Sequence, residues 1–271
     1  MGSPTMVLRR FYMAPQMVHH PQPEITGPEA VHICRVLRLS AGDAVELFDG
    51  TGCGYLATIV SASCRRVQVT IEETRALPLE SPVRISLAQA MLKDRKMDNL
   101  IRQLTELGID RWIPFYAARS IPLATAKGLG ARVTRWEKIA HEAVKQCRRA
   151  RVPRIVPAGD LRGAIAAAGS CDLAIIFYEG QAEAFDIPAT VPAKPNHILV
   201  VIGPEGGFDP AEMGQAQQAG WLTAGLGPRI LRAETASLAA CTLVQYRFGD
   251  MGPTGSAELE GKNGRTPVAN S

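Results

Sequence analysis

Three short apolar runs dominate the first third of the chain. Ala44 to Phe48, Tyr55 to Val60 and Arg66 to Ile71 are strand-length and rich in Val, Leu, Ile and Phe. Asp49-Gly50-Thr51-Gly52 separates the first two with turn chemistry, which predicts a hairpin. Ahead of them, apolar residues at Ile33, Val36 and Leu37 predict at most a short helix within His32 to Leu39. Several short strands with one small helix predict a compact barrel.

The pattern breaks at Leu77-Pro78-Leu79-Glu80-Ser81-Pro82, where paired prolines disfavour regular structure. A linker over 77–82 is expected there, with a β-rich domain over 1–76 and a second domain over 83–248. In the second domain Val83, Ile85 and Leu87 alternate as in a strand. Met97, Leu100, Ile101, Leu104 and Leu107 then repeat at helical spacing until Gly108 stops them, and Ile109 to Tyr116 reads as another strand. Leu173 to Tyr178 and His197 to Ile202 are near-continuous apolar runs, suited to central strands covered on both faces. Strands alternating with helices predict a largely parallel α/β sheet. The stretch 249–271 lacks aromatic residues and is rich in Gly, Ser, Pro and Asn, so it is expected to be a disordered tail.

Composition adds little until charge is placed along the chain. The 271 residues are 46% hydrophobic and 21% charged, as in ordinary globular proteins. No apolar stretch approaches the ~20 residues of a membrane span, and Met1 to Tyr12 lacks the apolar run of a signal peptide, so a cytoplasmic protein is expected. The six cysteines are scattered without Cys-x-x-Cys pairs or suitably spaced histidines, and read as free thiols rather than metal ligands. The net charge is only +4, yet Arg119 to Arg154 holds ten Lys and Arg against Glu137 and Glu142, a local balance of +8. That segment is amphipathic, with Trp136, Ile139, Ala140, Ala143, Val144 and Cys147 on one face. A one-sided block of this kind suits phosphate neutralisation.

Two loops carry candidate chemistry. His197 to Ile202 runs into Gly203-Pro-Glu-Gly-Gly207-Phe-Asp209-Pro-Ala-Glu212, a strand, a glycine turn and a helix start with Asp209 as N-cap and Glu212 completing a capping box. Strand ends of this kind are where α/β sheets bind ligands, and glycine lets the backbone approach closely. Neither a dinucleotide fingerprint nor a P-loop is present. The second loop, Gly225-Leu-Gly-Pro-Arg229-Ile-Leu-Arg-Ala-Glu-Thr235, leads into a helix and crowds two Arg, a Glu and a Thr before its N-terminus.

Together, Ile202-Gly-Pro-Glu-Gly-Gly-Phe208 and Leu226-Gly-Pro-Arg-Ile-Leu-Arg-Ala-Glu-Thr-Ala236 resemble the C-terminal signature of the ribosomal RNA small subunit methyltransferase E family. Shorter matches at Arg10-Phe11, His32 to Arg38, Phe48-Asp49-Gly50, Lys96-Met97, Thr105 to Gly108 and Arg135 to Gln146 extend the resemblance over roughly 9 to 248. It implies a PUA-like β-barrel followed by a SPOUT-type methyltransferase domain with a trefoil knot. It also implies a homodimer whose cofactor site lies near the subunit interface. The implied activity is S-adenosyl-L-methionine-dependent methylation of N3 of a uridine in the decoding region of 16S rRNA, so the small ribosomal subunit or its RNA is the implied partner.

The resemblance also distributes roles. Leu199, Ile202, Gly203, Pro204, Glu205, Gly206 and Gly207 would bind the cofactor together with Leu226, Gly227, Arg229, Ile230, Leu231, Arg232, Thr235 and Ala236. Arg10, Arg35, Arg38, Lys96, Arg119, Arg135, Arg148, Arg149 and Arg151 would bind RNA. Where the family usually has a small residue this chain has Arg148, so the family's arginine role passes to Arg149. Arg10 and Arg149 are the candidates for stabilising charge on the deprotonated base, and Glu205 for a base or a holder of the cofactor's amino group. Two other readings share these residues. A ribose 2′-O-methyltransferase of the same superfamily is one, with Asn99-x-x-Arg102 similar to its first motif; a non-catalytic RNA-binding assembly factor is the other.

Overall fold

The computed structural model describes residues 8–77, 80–93, 95–120, 126–179, 191 and 194–253. Its N-terminal half contains β1 (Arg10–Tyr12), α1 (Pro15–Val18), β2 (Glu24–Thr26) and α2 (Gly27–Val31), which continues into a π-helical turn (His32–Leu37). β3 (Ala44–Phe48), β4 (Cys53–Ala62) and β5 (Arg66–Ala76) follow. β3 and β4 form the expected hairpin, with Phe48 opposite Gly54. Register shifts at Leu56/Ala57 and Ile59/Ser61 bend β4 against β5 and curl the sheet.

The strand order is β1-β3-β4-β5-β2, so the expected barrel is corrected to a curled half-barrel with β1 and β2 as its edges. Each edge strand is three residues long, too short to zip the sheet shut. Val18 of α1 and Ile33 of the π-helical turn instead pack into the same core as Phe11, Val45, Leu47 and Val67.

The C-terminal half contains β6 (Arg84–Ala90), α3 (Lys96–Glu106), β7 (Arg111–Phe115), α4 (Ala126–Cys147), β8 (Arg154–Ile155) and α5 (Leu161–Ala168). After these come β9 (Leu173–Phe177), β10 (His197–Ile202), α6 (Pro210–Gln218), β11 (Leu222–Ala224) and α7 (Ala233–Phe248). Its six strands are all parallel, in the order β11-β9-β10-β6-β7-β8. Every residue of β10 is buried, the physical reason its sequence is a continuous apolar run.

Helices cover both faces of this sheet. Leu100, Trp136 and Val244 of α3, α4 and α7 share one core, while Leu161 and Ala164 of α5 and Ala216 of α6 share the other. Trp112 and Trp136 meet edge to face at 5.0 Å and pin α4 to the sheet. Because the strands run one way, the loops after β6, β9, β10 and β11 gather at a single end. Pro78 and Leu79 of the expected linker, and the expected tail from residue 254 onward, lie outside the described residues. Among those residues no helix is long and apolar enough to cross a membrane.

Candidate functional site

At the gathered strand ends an elongated cleft opens in two adjoining chambers of about 130 and 260 Å³. The glycine turn after β10 forms one wall, with Gly207 N–H closing onto Pro204 O at 3.0 Å. Gly207 has φ +69°, and an added Cβ would lie 3.0 Å from Glu179 Oε1. A Cβ on Gly203 would lie 3.0 Å from the Phe208 ring, so a side chain at either position would crowd its neighbour, and at Gly207 the left-handed backbone angle favours glycine as well. The loop from Leu226 to Ala233 forms the facing wall, and Phe177 at the end of β9 closes the floor with Tyr178 and Glu179.

The turn is braced from below. Asp209 caps α6 and Glu212 returns the bond, completing the expected capping box. Glu212 also accepts from Ala118 N–H at 3.0 Å, which fixes the loop after β7 and brings Arg119 Nη1 within 3.2 Å of Gly206 O.

Charge in the cleft is organised around Lys96. Its Nζ lies 3.1 Å from Glu205 Oε1 and 3.3 Å from Glu234 Oε2, with Lys96 and Glu205 side chains each about a third exposed. The hydrogen bond to Glu205 holds the Lys96 ammonium above its usual range. Burial pushes Glu205 up, but hydrogen bonds from its own backbone, from Lys96 and from Lys93 N–H outweigh it and leave the carboxyl below its ordinary value. An ionised, paired carboxylate with a depressed pKa is a weak general base and a good anchor for a cation.

A second polar cluster lies where the two halves meet. α4 ends at Cys147, Arg148 turns left-handed at φ +64°, and Glu80 receives the chain that follows. Glu80 Oε1 accepts from Ala150 N–H at 2.9 Å and Arg151 N–H at 2.8 Å, while Oε2 pairs with Arg149 Nη2 at 2.7 Å. Arg149 Nη1 donates to Thr105 O at 2.9 Å, and the residue is 6% exposed. Arg10 Nη2 donates to Arg149 O at 2.8 Å, with its guanidinium 4.3 Å over Phe48 and 3.5 Å from Glu46. Burial lowers Arg10 from its ordinary pKa despite Glu46. Lys145–Glu29 at 2.6 Å, Tyr12 against His141 at 4.4 Å and Val152 N–H on Gly50 O at 3.3 Å complete the joint.

The expected site residues therefore separate. Ile202, Gly203, Pro204, Glu205, Gly207, Leu226, Gly227, Arg229, Ile230, Leu231, Arg232 and Ala236 line the cleft. Gly206 faces Arg119, and Thr235 lies on a neighbouring groove with Leu238 and Leu243. The Leu199 side chain lies in the core, since alternation along β10 turns it toward the α5 and α6 face. Arg149 is buried in the joint, where Glu80 and the Thr105 carbonyl hold its guanidinium, and Arg10 is half-buried beside it, with Nη2 on the Arg149 carbonyl and with Nε and Nη1 lacking a hydrogen-bond partner among the described residues. Arg35, Arg38, Arg119, Arg135, Arg148 and Arg151 are exposed. Arg135 is paired with Asp98 at 2.6 Å. Asn99 and Arg102 lie in mid-helix, with Arg102 Nη1 3.5 Å from Asn99 Oδ1.

Phe177, Tyr178, Glu179 and Phe208 line the cleft without having been expected there. The apolar run ending at Tyr178 was the available signal, because the end of any strand beside β10 reaches the same edge. His197, which bonds Ser86 at 2.8 Å and Ser170 O at 2.7 Å, lies at the opposite strand end and serves the fold.

Comparison with known proteins adds family evidence to this geometry. Residues 79–245 match the model of an RNA methyltransferase domain, and residues 25–72 that of an RNA methyltransferase PUA domain. The chain is 33% identical to the ribosomal RNA small subunit methyltransferase E of Bacillus subtilis, over 86% of this chain and 93% of that protein. It is 32% identical to the Buchnera aphidicola protein of the same name, over 81% and 85%. The fold is similar to a crystal structure of the Neisseria gonorrhoeae enzyme of that name bound to S-adenosyl methionine, with TM-score 0.76 and 29% identity over 90% of this chain and 99% of that one.

Proposed function

The chain belongs to the ribosomal RNA small subunit methyltransferase E family, and on that premise we propose that it transfers the methyl group of S-adenosyl-L-methionine to N3 of a uridine in the decoding region of 16S rRNA. The observation that carries the reading is the cleft at the ends of β9, β10 and β11, whose two glycine-bearing walls both come from the family signature. The residues present fit the cofactor. Ile202, Pro204, Leu226, Leu231 and Ala236 give apolar walls for an adenosine, and a Cβ at Gly203 or Gly207 would fill the cradle. Glu179 and Glu205 offer negative charge to a ligand that carries a sulfonium and an ammonium.

When bound, the cofactor supplies a methyl group already activated on sulfur. The chain's own work is then orientation. Glu205, fixed by Lys96, acts as an anchor rather than a base. Loss of the N3 proton spreads negative charge over the uracil oxygens, and Arg119, Arg229 and Arg232 are exposed cations at the rim able to face it. Arg10 and Arg149 act as positioning residues that hold the N-terminal half against the basic turn 148–151.

The rest of the family's organisation belongs to the same reading. A SPOUT trefoil knot is supported by the parallel sheet and by α7, which crosses back from edge strand β11 to pack on β10 and β6. Homodimerisation is supported by the outer groove of Leu226, Leu238 and Leu243, and by Ile230 and Tyr246, apolar side chains left 81% and 57% exposed. The setting would be cytoplasmic, with the RNA partner gripped by the PUA domain and by Arg35, Arg38, Arg148 and Arg151.

Tritiated methyl transfer to free 16S rRNA and to small subunits, followed by mass analysis of digested nucleosides, tests the reading. N3-methyluridine is expected. A 2′-O-methylated nucleoside would assign the chemistry to the ribose, and cofactor binding without transfer to either substrate would overturn the enzymatic reading.

A further inference from the structure

The N-terminal half holds a thiol pair that methyl transfer does not use. Cys34 lies in the π-helical turn and Cys64 in the tight turn between β4 and β5, where Ser63 Oγ is bonded to both N–H and O of Arg66. Although thirty residues separate them in sequence, their sulfurs lie 3.0 Å apart, and both residues are half-buried and reachable by a small solute. The hydrogen bond with Cys34, and after it Arg35, pulls the Cys64 thiol below its usual range, while the same bond pushes Cys34 up. The contrast with other cysteines is marked: burial pushes Cys147 and Cys171 up, and Cys241 to about 12. A thiolate beside a cation with a second thiol in contact is the microenvironment that makes cysteine oxidation selective.

We propose that Cys34 and Cys64 form a reversible dithiol–disulfide site, oxidised by hydroperoxides, that staples the turn carrying Arg35 and Arg38 to the β4–β5 hairpin. The Cys64 thiolate attacks one peroxide oxygen, the O–O bond breaks, and the departing hydroxide takes up a proton to become water. Cys64 is then a sulfenic acid. The Cys34 sulfur attacks it, the S–S bond forms, and the displaced hydroxyl leaves as a second water with the Cys34 proton. Two electrons pass from the thiols to one peroxide, and a thiol reductant reverses the change by exchange. The sulfurs need to approach by only about 1 Å to reach the ~2.05 Å of a disulfide. This chemistry is independent of the methyl-transfer reading.

Full-length protein treated with one equivalent of hydrogen peroxide is expected to lose two of its six thiols, and peptide mass mapping to find Cys34 joined to Cys64 by a link that dithiothreitol removes. Cys34→Ser should stop at a sulfenic acid on Cys64 that dimedone traps. Cys64→Ser should slow peroxide consumption by at least about tenfold, since the activated thiolate is gone. Oxidation should raise the melting temperature of the parent by several degrees and that of neither variant, because only the parent closes the loop. A link between other cysteines, an unchanged thiol count, or equal oxidation rates in the parent and a folded Cys64→Ser protein would overturn the proposal.

Discussion

The cleft and the joint use the same residue types to opposite ends. In the cleft Lys96 bridges Glu205 and Glu234 while all three side chains remain a quarter to a third exposed. In the joint Arg149 and Glu80 form the same kind of pair with side chains 7% and 22% exposed, and backbone N–H groups consume the rest of the carboxylate. Water can compete for the first pair and hardly for the second. An exposed pair adds little to stability and can be reorganised by a ligand; a buried one is costly to leave half-made. The cleft is thus built to be filled and the joint to stay shut.

The sharpest way to break this contrast is at Glu80. Glu80→Ala leaves the Arg149 guanidinium buried without its partner and should cost about 3 to 5 kcal/mol of stability, read as a lower urea midpoint, with S-adenosylmethionine affinity in the folded protein unchanged. Weakened cofactor binding without loss of stability would show that the joint reports to the cleft. The reciprocal change, Glu205→Gln, should raise the cofactor Kd roughly tenfold, corresponding to about 1.5 kcal/mol for a hydrogen bond to a charged group. Its effect on the unfolding free energy should be within about 1 kcal/mol. Calorimetric titration beside a denaturation curve separates the two outcomes.

Exposure makes a third distinction within the basic turn. Arg148→Ala and Arg151→Ala should each reduce the salt dependence of RNA binding by roughly 0.7 to 0.9 in log–log slope for every phosphate the variant no longer neutralises. A folded Arg149→Lys protein should keep the parent slope. Equal slope changes at all three positions would place Arg149 on the RNA after all. Acid brings the smallest effect. Asp49, beside the joint, is pushed up by burial, but bonds from Thr51 and Tyr55 outweigh this and hold it below its ordinary value. A folded-state pKa below the unfolded ~3.9 means that its stabilisation is complete above that pH and lost as pH falls through the folded value. Asp49→Asn should therefore flatten the stability curve below about pH 4, and Glu205→Gln should flatten it less because Glu205 is more exposed.

What was legible in the sequence follows the range of the forces involved. The glycine turn, the Asp209 and Glu212 cap and the parallel sheet depend on neighbours within a few residues, or on a burial pattern written along each strand. The fate of the arginines was not legible. Arg149 meets a carboxylate 69 residues away in a proline-bounded linker, and Arg10 meets a carbonyl 139 residues away. Charge density along the chain records how many cations exist, not which of them fold inward. The placing of Leu199 is of the same kind: it shares a strand with Ile202, yet an odd separation along β10 sends the two side chains to opposite faces.

The Glu80 contacts also bear on how the chain could be recombined. A foreign RNA-binding module would most naturally be grafted between Ala76 and Arg84, where one sheet has ended and the next has not begun. A cut after Glu80 would discard the acceptor of two N–H groups and the counter-ion of Arg149, so a viable chimera must keep Glu80 with the C-terminal piece. The incoming module must also offer a carbonyl where Gly50 now receives Val152. The seam of inheritance between the two halves therefore runs through their contact surface, not through a point in the chain.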